Sequence, residues 1–199
     1  MTVVKSARSG FSFAARIGQF SALLEQCQIT CRDGKNLDLE PGLTAALAMI
    51  LGVRERGGHI LVIGNGGSAA IAAHVVNDLV NVGEIRALTV HDSALLTCMA
   101  NDYGYENAYA RAVGRLAEPG DLLIAISSSG RSRNICNAAE RMKELGGSVL
   151  TLSGFAADNP LRSLGAANIW LDAADYGLVE VGHQFILHEL TDRCTRAYR

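Results

Sequence analysis

The sequence predicts an α/β fold: a doubly wound, Rossmann-like parallel sheet of five strands with helices on both faces. Five short runs are almost continuously aliphatic or β-branched, as in strands that are buried on both sides. Helical patterns separate several of them, and a strand, helix and strand in succession form a right-handed crossover between parallel strands. The predicted strands are 59–64, 85–90, 121–127, 148–153 and 168–172.

Helical periodicity completes the predicted layout. Two helices over 10–33 and 41–57 precede the first strand, and we expect them to form a helical hairpin that packs on the sheet or on another subunit. We expect one domain over 1–199, with N-terminal helices in 1–57 and the α/β core with a long C-terminal helix in 58–199. The helices of the core are predicted at 68–82, 105–117, 131–145 and 178–196.

Composition argues for a protein that binds small molecules. The formal net charge is −2, which gives no basic stripe for a nucleic-acid backbone, so no direct nucleic-acid contact is expected. Lys5 and Arg8 are followed by the polar stretch 9–12, and no run approaches the ~20 apolar residues of a spanning helix. The five cysteines show no paired spacing and are expected to be reduced. We expect a cytoplasmic protein without membrane contact.

The first motif is the glycine-rich turn Gly64-Asn65-Gly66-Gly67-Ser68, between a predicted strand and a predicted helix. Glycines allow backbone N–H groups to approach a ligand, and a helix N-terminus favours negative charge. Ser68 is predicted to be the N-cap. The spacing is neither the dinucleotide fingerprint nor the lysine-bearing P-loop. A plain tight turn remains the alternative for this motif.

The second motif is Ser127-Ser128-Ser129-Gly130-Arg131-Ser132, again where a strand leads into a helix. One helix cap needs one hydroxyl, whereas this loop offers four together with unpaired backbone amides. The excess of donors favours a site for a phosphate monoester over a serine-rich turn. Both motifs follow parallel strands, so we expect them to face one cleft.

Two predicted helices carry histidines and carboxylates. His74 and Asp78 share one helical face, and Glu180 and His188 lie about 80° apart around the closing helix, with His183 about 60° from Glu180 on the other side. If the helices converge, these side chains could bind a metal such as zinc or act as acid and base. Each alone is more often a structural or solvated residue.

Together with the run Ala100–Glu106, these motifs closely resemble the phosphoheptose isomerases of the sugar isomerase (SIS) family. The resemblance covers nearly the whole chain and is strongest from 59 to 152. It implies a SIS fold and the conversion of sedoheptulose 7-phosphate to a manno-heptose 7-phosphate, or a close variant. It also implies a homotetramer whose active sites are completed by neighbouring subunits.

The resemblance implies which residues contact the phosphorylated sugar, with the serines holding the phosphate. Ser68, in the first motif, is a further substrate-binding candidate. The contacts implied by the family are Asn65, Gly66, Gly67, Asn101, Asp102, Ser127, Ser128, Ser129 and Ser132.

Family members commonly bind zinc through a His and a Glu of one helix and a Gln and a His of another. These positions correspond to His74, Asp78, Glu180 and His188, so Asp78 replaces the family Glu and Glu180 the family Gln. Zinc, or another divalent cation, is therefore the implied cofactor. The catalytic candidates are His188 with either Asp78 or Glu180, because the carboxylate role can have moved between helices.

The same two departures support an alternative without catalysis. Some SIS proteins bind a sugar phosphate as sensors or regulators, or bind a replication initiator, and keep the serine loop. Asp78 is one methylene shorter than the family Glu, and a displacement of about 1 Å can lower a rate about a hundredfold. A regulatory SIS protein is therefore the second hypothesis.

Overall fold

A computed structural model describes residues 12–196, which contain a seven-stranded sheet of order β2-β1-β7-β6-β5-β3-β4. The five strands β3 to β7 are parallel, which confirms the predicted α/β sheet. The strands are β1 (Gln28–Cys31), β2 (Asn36–Leu37), β3 (His59–Ile63), β4 (Arg86–Thr89), β5 (Leu122–Ser127), β6 (Ser148–Gly154) and β7 (Ala167–Leu171).

The two additional strands correct the prediction of a five-stranded sheet and an N-terminal helical hairpin. The predicted helix 10–33, whose first two residues lie outside the described part, ends at Glu25, and β1 then pairs antiparallel with β7 and β2. Ile29 of β1 is fully buried and packs against Gly42, where any side chain would clash with it. The sheet therefore takes up residues that were predicted to be helical.

Seven α-helices and a short 3-10 helix surround the sheet within residues 12–196. The helix over 93–103 was not predicted, because its apolar face is short: none of its side chains is fully buried, and only Leu95 and Leu96 pack, partly buried, against the core. Gly104, with φ of +80°, separates it from the next helix. The helices are α1 (Phe13–Glu25), α2 (Leu39–Arg56), α3 (Gly67–Asn81), α4 (Ser93–Tyr103), α5 (Tyr105–Leu116), α6 (Arg133–Glu144) and α7 (Tyr176–Arg196), with the 3-10 helix at Pro160–Ser163.

Side chains alternate between two cores along each central strand. In β3, Ile60 and Val62 pack with α2, α3 and α7, whereas Leu61 and Ile63 pack with α5 and α6. Every residue of β5 is buried. The continuous apolar runs thus arise from strands covered on both faces, as expected for a doubly wound sheet.

The chain reverses its direction of travel across the sheet next to β3. From β3 it goes to β4 on one side, and it returns to β5 on the other. The turns after β3 and β5 therefore lead to helices on opposite faces, α3 and α6. Open α/β sheets bind ligands in the crevice at such a switch point.

Further expectations concern the membrane and the cysteines. Among the helices described in residues 12–196, none has the length and hydropathy required to cross a bilayer. All five cysteines are free thiols, as expected. Burial raises the pKa of Cys27 to about 12, so its thiol is not reactive near neutral pH.

His183 is buried on the sheet-facing side of α7. One ring nitrogen, Nε2, lies 3.1 Å from the carbonyl oxygen of Ser153 and donates to it, while Nδ1 has no hydrogen-bond partner within residues 12–196. Desolvation lowers the pKa of His183 to about 4. The folded protein therefore holds this ring neutral where a histidine in the unfolded chain would be protonated.

We expect the free energy of unfolding to depend less steeply on pH between 7.5 and 4 in His183→Gln than in the wild type. Below a pH of about 6.5, the pKa expected for a histidine in the unfolded chain, the unfolded protein binds a proton at this residue and the native protein does not. The free energy of unfolding therefore falls as the pH drops towards 4, by up to roughly 3 kcal/mol. Urea unfolding at several pH values between 7.5 and 4 measures the slope. His59→Gln, at a half-exposed position, is the control. Equal slopes for His183→Gln and the wild type would contradict the assignment.

Candidate active site

The glycine-rich turn after β3 forms the N-terminus of α3. Gly66, with φ of +53°, is the N-cap, and its carbonyl oxygen accepts from Ala69 N at 3.0 Å. Ser68 is buried in the first helical turn and makes no cap, so that prediction was wrong. It packs against Gly64, where a Cβ atom would lie 2.5 Å from the Ser68 carbonyl oxygen. Close packing of the backbone, and not capping, therefore fixes this turn.

The serine loop, residues 127–132, joins β5 to α6. Its first and last hydroxyls are paired, with Ser127 Oγ 3.1 Å from Ser132 Oγ, and Ser129 Oγ accepts from Arg131 N at 3.2 Å. Ser128 is buried, yet its hydroxyl has no hydrogen-bond partner within residues 12–196. Ser132 is the N-cap of α6 but its side chain makes no cap bond. The loop therefore retains hydroxyl and amide donors for a ligand.

Residues from 154 to 161 pack against the serine loop and hold its backbone. Gly130 has φ of +62°, and a Cβ atom there would collide with the side chain of Asn159. The carbonyl oxygen of Gly130 accepts from Leu161 N at 3.1 Å, and that of Ser128 accepts from Gly154 N at 2.9 Å. The Asn159 amide donates to Gly154 O at 3.2 Å. These contacts fix the backbone of the loop in the described chain.

Asn65 and Asn134 connect the two motifs. Their side-chain amides donate to each other's oxygens at 3.0 and 2.9 Å, and Tyr105 Oη donates to Asn65 Oδ1 at 2.8 Å. The glycine-rich turn and the start of α6 are therefore adjacent, as the sequence predicted. The sequence analysis did not select Asn134 or Tyr105 individually, although Asn134 lies only two residues past the serine loop.

The helices α3 and α7 converge, which the sequence left open. His74 Nε2 lies 3.0 Å from His188 Nε2, and Asp78 Oδ2 lies 3.4 Å from His74 Nε2 and 3.3 Å from His188 Nδ1. One ligating atom from each of the three residues falls within a group no more than 4.8 Å across. This cluster is called the His–Asp–His cluster below.

The donor set of the His–Asp–His cluster fits a divalent cation. Asp78 Oδ2 is buried without a properly directed hydrogen bond within residues 12–196, although two imidazole rings lie beside it. Imidazole nitrogen and carboxylate oxygen are zinc ligands, and three protein ligands leave a fourth position open.

Glu180 lies outside this cluster. Its carboxylate rests against Gly67 at the start of α3, where any added Cβ would collide with it. No hydrogen bond or ion pair within residues 12–196 engages it. The predicted ligand set thus divides into three converging residues and a separate carboxylate. Both parts line an open cavity of about 450 Å³, formed by Gly67, Ala70, Ile71, His74, Glu180, Val181, Gln184 and His188.

Asn101 and Asp102 lie on the exposed helix α4. Asn101 Nδ2 donates to Asp102 Oδ1 at 3.0 Å, and the thiol of Cys98 contacts Asp102 Oδ2 at 3.6 Å. No hydrogen bond joins either residue to the serine loop or to the His–Asp–His cluster within the described chain. Their role in substrate binding stays a prediction.

Comparison with known proteins agrees with this geometry. Residues 35–154 match the family model described as "SIS domain", and the chain belongs to that family. A phosphoheptose isomerase from Campylobacter concisus is 33% identical over 172 residues, which cover 83% of this chain and 90% of the relative. One from Geotalea daltonii is 35% identical over 162 residues, or 78% and 83% of the two chains. Within the SIS family, the chain belongs with the phosphoheptose isomerase-like proteins.

Solved structures confirm the fold. A phosphoheptose isomerase from Neisseria gonorrhoeae superposes with a TM-score of 0.78 at 24% identity, covering 92% of this chain and 96% of that one. One from Francisella tularensis gives a TM-score of 0.79, also at 24% identity, and covers 94% and 100%. The SIS fold implied by the sequence motifs is thereby confirmed.

Proposed function

We propose that the protein is a sugar-phosphate aldose–ketose isomerase that converts sedoheptulose 7-phosphate to a manno-heptose 7-phosphate or acts on a close variant. The observation that carries the proposal is the junction of Asn65 with Asn134, which joins the helix behind the serine loop to the turn where the unpaired carboxylate of Glu180 rests against Gly67. The names of the relatives support both the reaction and the substrate class.

The serine loop is the proposed phosphate site. Ser128 Oγ is buried without a partner within residues 12–196, and an orphaned hydroxyl costs about 1–3 kcal/mol unless a ligand supplies the missing hydrogen bond. The N-terminus of α6 adds unpaired amides and a favourable dipole. Phosphate binding would hold the sugar at the end remote from the reacting carbons, so that binding energy orients C1 and C2.

Glu180 is the proposed base. Isomerisation removes a proton from the carbon beside the carbonyl, forms an enediol, and returns the proton to the neighbouring carbon while a hydroxyl proton changes oxygen. Asp78 Oδ2 lies between two histidine rings, whereas Glu180 faces the cavity with no ion pair in residues 12–196. Of the two carboxylates left open by the sequence, Glu180 is therefore the better placed to carry the carbon-bound proton.

The His–Asp–His cluster is proposed to orient the sugar hydroxyls. His74, Asp78 and His188 would hold zinc or another divalent cation, which when bound would polarise the oxygens of a sugar. Without a bound cation, His188 would instead move the hydroxyl proton, with Asp78 Oδ2 beside its ring at 3.3 Å from Nδ1. His188 thus retains its place as a catalytic candidate.

Association with other copies of the chain is part of the proposal. Large apolar side chains are exposed on α1 and α7, including Phe13 at 81% and Phe185 at 55% of their possible surface. Val181, on the same helix as Phe185, lines the candidate cavity and is 56% exposed. A second copy packed on this face would bury the apolar surface and close the cavity, consistent with the implied homotetramer.

Replacing Glu180 by Gln is expected to lower kcat by roughly a hundredfold or more while KM changes little, because the amide cannot accept the carbon-bound proton. Glu189→Gln is the matched control on the same helix, since Glu189 pairs with Arg193 at 2.8 Å and does not line the cavity. Turnover of heptose, hexose and pentose phosphates is measured with and without added zinc. Full activity of Glu180→Gln would remove Glu180 as the base, and no turnover of any sugar phosphate by the wild type would refute the isomerase.

Ser128→Ala is expected to leave the melting temperature of the free protein unchanged or slightly raised, because it removes a buried hydroxyl without a partner. The same variant should lose most of the stabilisation that sedoheptulose 7-phosphate gives the wild type. Thermal-shift assays with the phosphorylated sugar and with free sedoheptulose measure this, and Ser163→Ala is the control. Equal stabilisation by both sugars would argue against a phosphate site. Stabilisation without turnover would favour the sensor hypothesis.

Phe185→Glu is expected to dissociate the assembly, because a charge would have to be buried in an apolar interface. Light scattering measures the molar mass, and a monomeric wild type would contradict the proposal. Leu116→Glu is the control, since Leu116 is 44% exposed on α5, across the sheet from α7. Dissociation by both variants alike would show that the α1–α7 face is not the interface.

A further inference from the structure

A second cavity lies on the face of the sheet opposite to α3 and α7. It has a volume of about 580 Å³ and contains three arginines. Arg141 is nine residues beyond Ser132 on α6, or about 14 Å along a helix, so the Arg141 end of this cavity lies well away from the serine loop. Its lining is Tyr103, Asn107, Ala110, Arg111, Gly114, Arg115 and Arg141.

The charge in this arginine cavity is poorly balanced. Arg141 pairs with Glu144 at 2.9 Å, and that carboxylate is 65% exposed. No carboxylate in residues 12–196 lies within 4 Å of the guanidinium of Arg111 or Arg115. Three cations facing one anion leave an excess of two positive charges in a concave site. The field in such a cavity concentrates anions.

Contacts within the protein hold two of the guanidinium groups in place. That of Arg111 lies over the ring of Tyr103 at 3.9 Å. Arg141 crosses α5 at Gly114, where a Cβ atom would lie 3.0 Å from Arg141 Nε. Glycine inside a helix costs about 1 kcal/mol relative to alanine, and here it leaves room for the arginine. Arg115 and Arg141 occupy last helical turns, which favour cations, but Arg111 does not.

We propose that the arginine cavity binds a small polyphosphate, such as a nucleoside triphosphate or inorganic triphosphate, at a site separate from the isomerase cavity. Planar guanidinium groups bind phosphate oxygens in pairs, and orientation by Tyr103 and Gly114 reduces the entropy lost on binding. The volume is within the range of small-molecule sites, about 300–1,000 Å³. The net charge of −2 argues against an extended nucleic-acid surface.

The test is calorimetric titration of the full-length protein with inorganic triphosphate and, separately, with ATP. The double variant Arg111→Gln/Arg115→Gln should weaken binding by about tenfold or more, and salt should weaken wild-type binding. Arg32→Gln/Arg86→Gln makes the same change in net charge elsewhere and should bind as the wild type does. Ser127→Ala should also leave triphosphate binding at this site unchanged. Binding of both probes supports a general polyphosphate site, and binding of ATP alone a nucleotide site.

Several outcomes would overturn the proposal. These are the absence of binding at millimolar ligand, equal weakening by the control pair, and loss of binding in Ser127→Ala, which would locate the anion at the serine loop. Tighter binding of a short DNA duplex with the same arginine dependence would favour nucleic acid instead. Should the double variant fail to fold, Arg115→Gln alone gives the test, because no hydrogen bond or ion pair engages Arg115 within residues 12–196. It should weaken binding several-fold.

Discussion

The reciprocal amide hydrogen bonds between Asn65 and Asn134 are the contact on which the candidate site depends. They join the two strand-to-helix turns at the point where the order of strands reverses, so the N-termini of α3 and α6 are held side by side. The first helix carries His74 and Asp78, and the second begins at the serine loop. Each amide satisfies the other, and Tyr105 adds a donor to Asn65. The junction thus holds together two helices that lie on different faces of the sheet but begin at the same edge of it.

The parallel core could be predicted from sequence because its signal is local. Strands such as β5, buried over every residue, read as continuous apolar runs between turn residues. The strand β1 could not be predicted in the same way, because its four residues become a strand only through pairing with β7, which lies more than 130 positions later. The helix α4 has no fully buried residue, and only Leu95 and Leu96 pack against the core, so its hydrophobic periodicity was weak. The missed strand thus depends on pairing with a distant part of the chain, and the missed helix is largely exposed to solvent.

The candidate site likewise combines features that local sequence determines with features that depend on tertiary contacts. The serine loop and the spacing of His74 and Asp78 follow from short segments, and the convergence of α3 with α7 brings in His188. The separation of Glu180 from that cluster could not be predicted, because it depends on how α7 lies against Gly67. Asn159 supports the serine loop from a segment almost thirty residues further along the chain. Its only local signal is the following proline, which is typical of a turn.

The contact between Glu180 and Gly67 has a consequence for the divergence of this family. The carboxylate occupies the space that any side chain at position 67 would need, so the two positions cannot vary independently. A lineage that exchanges the acid at 180 for a smaller residue becomes free to lose the glycine, and one that first gains a larger residue at 67 must move or abandon the acid. Correlated substitution at these two positions would therefore record, in sequences alone, which members keep a side chain as long as Glu or Gln against the start of α3.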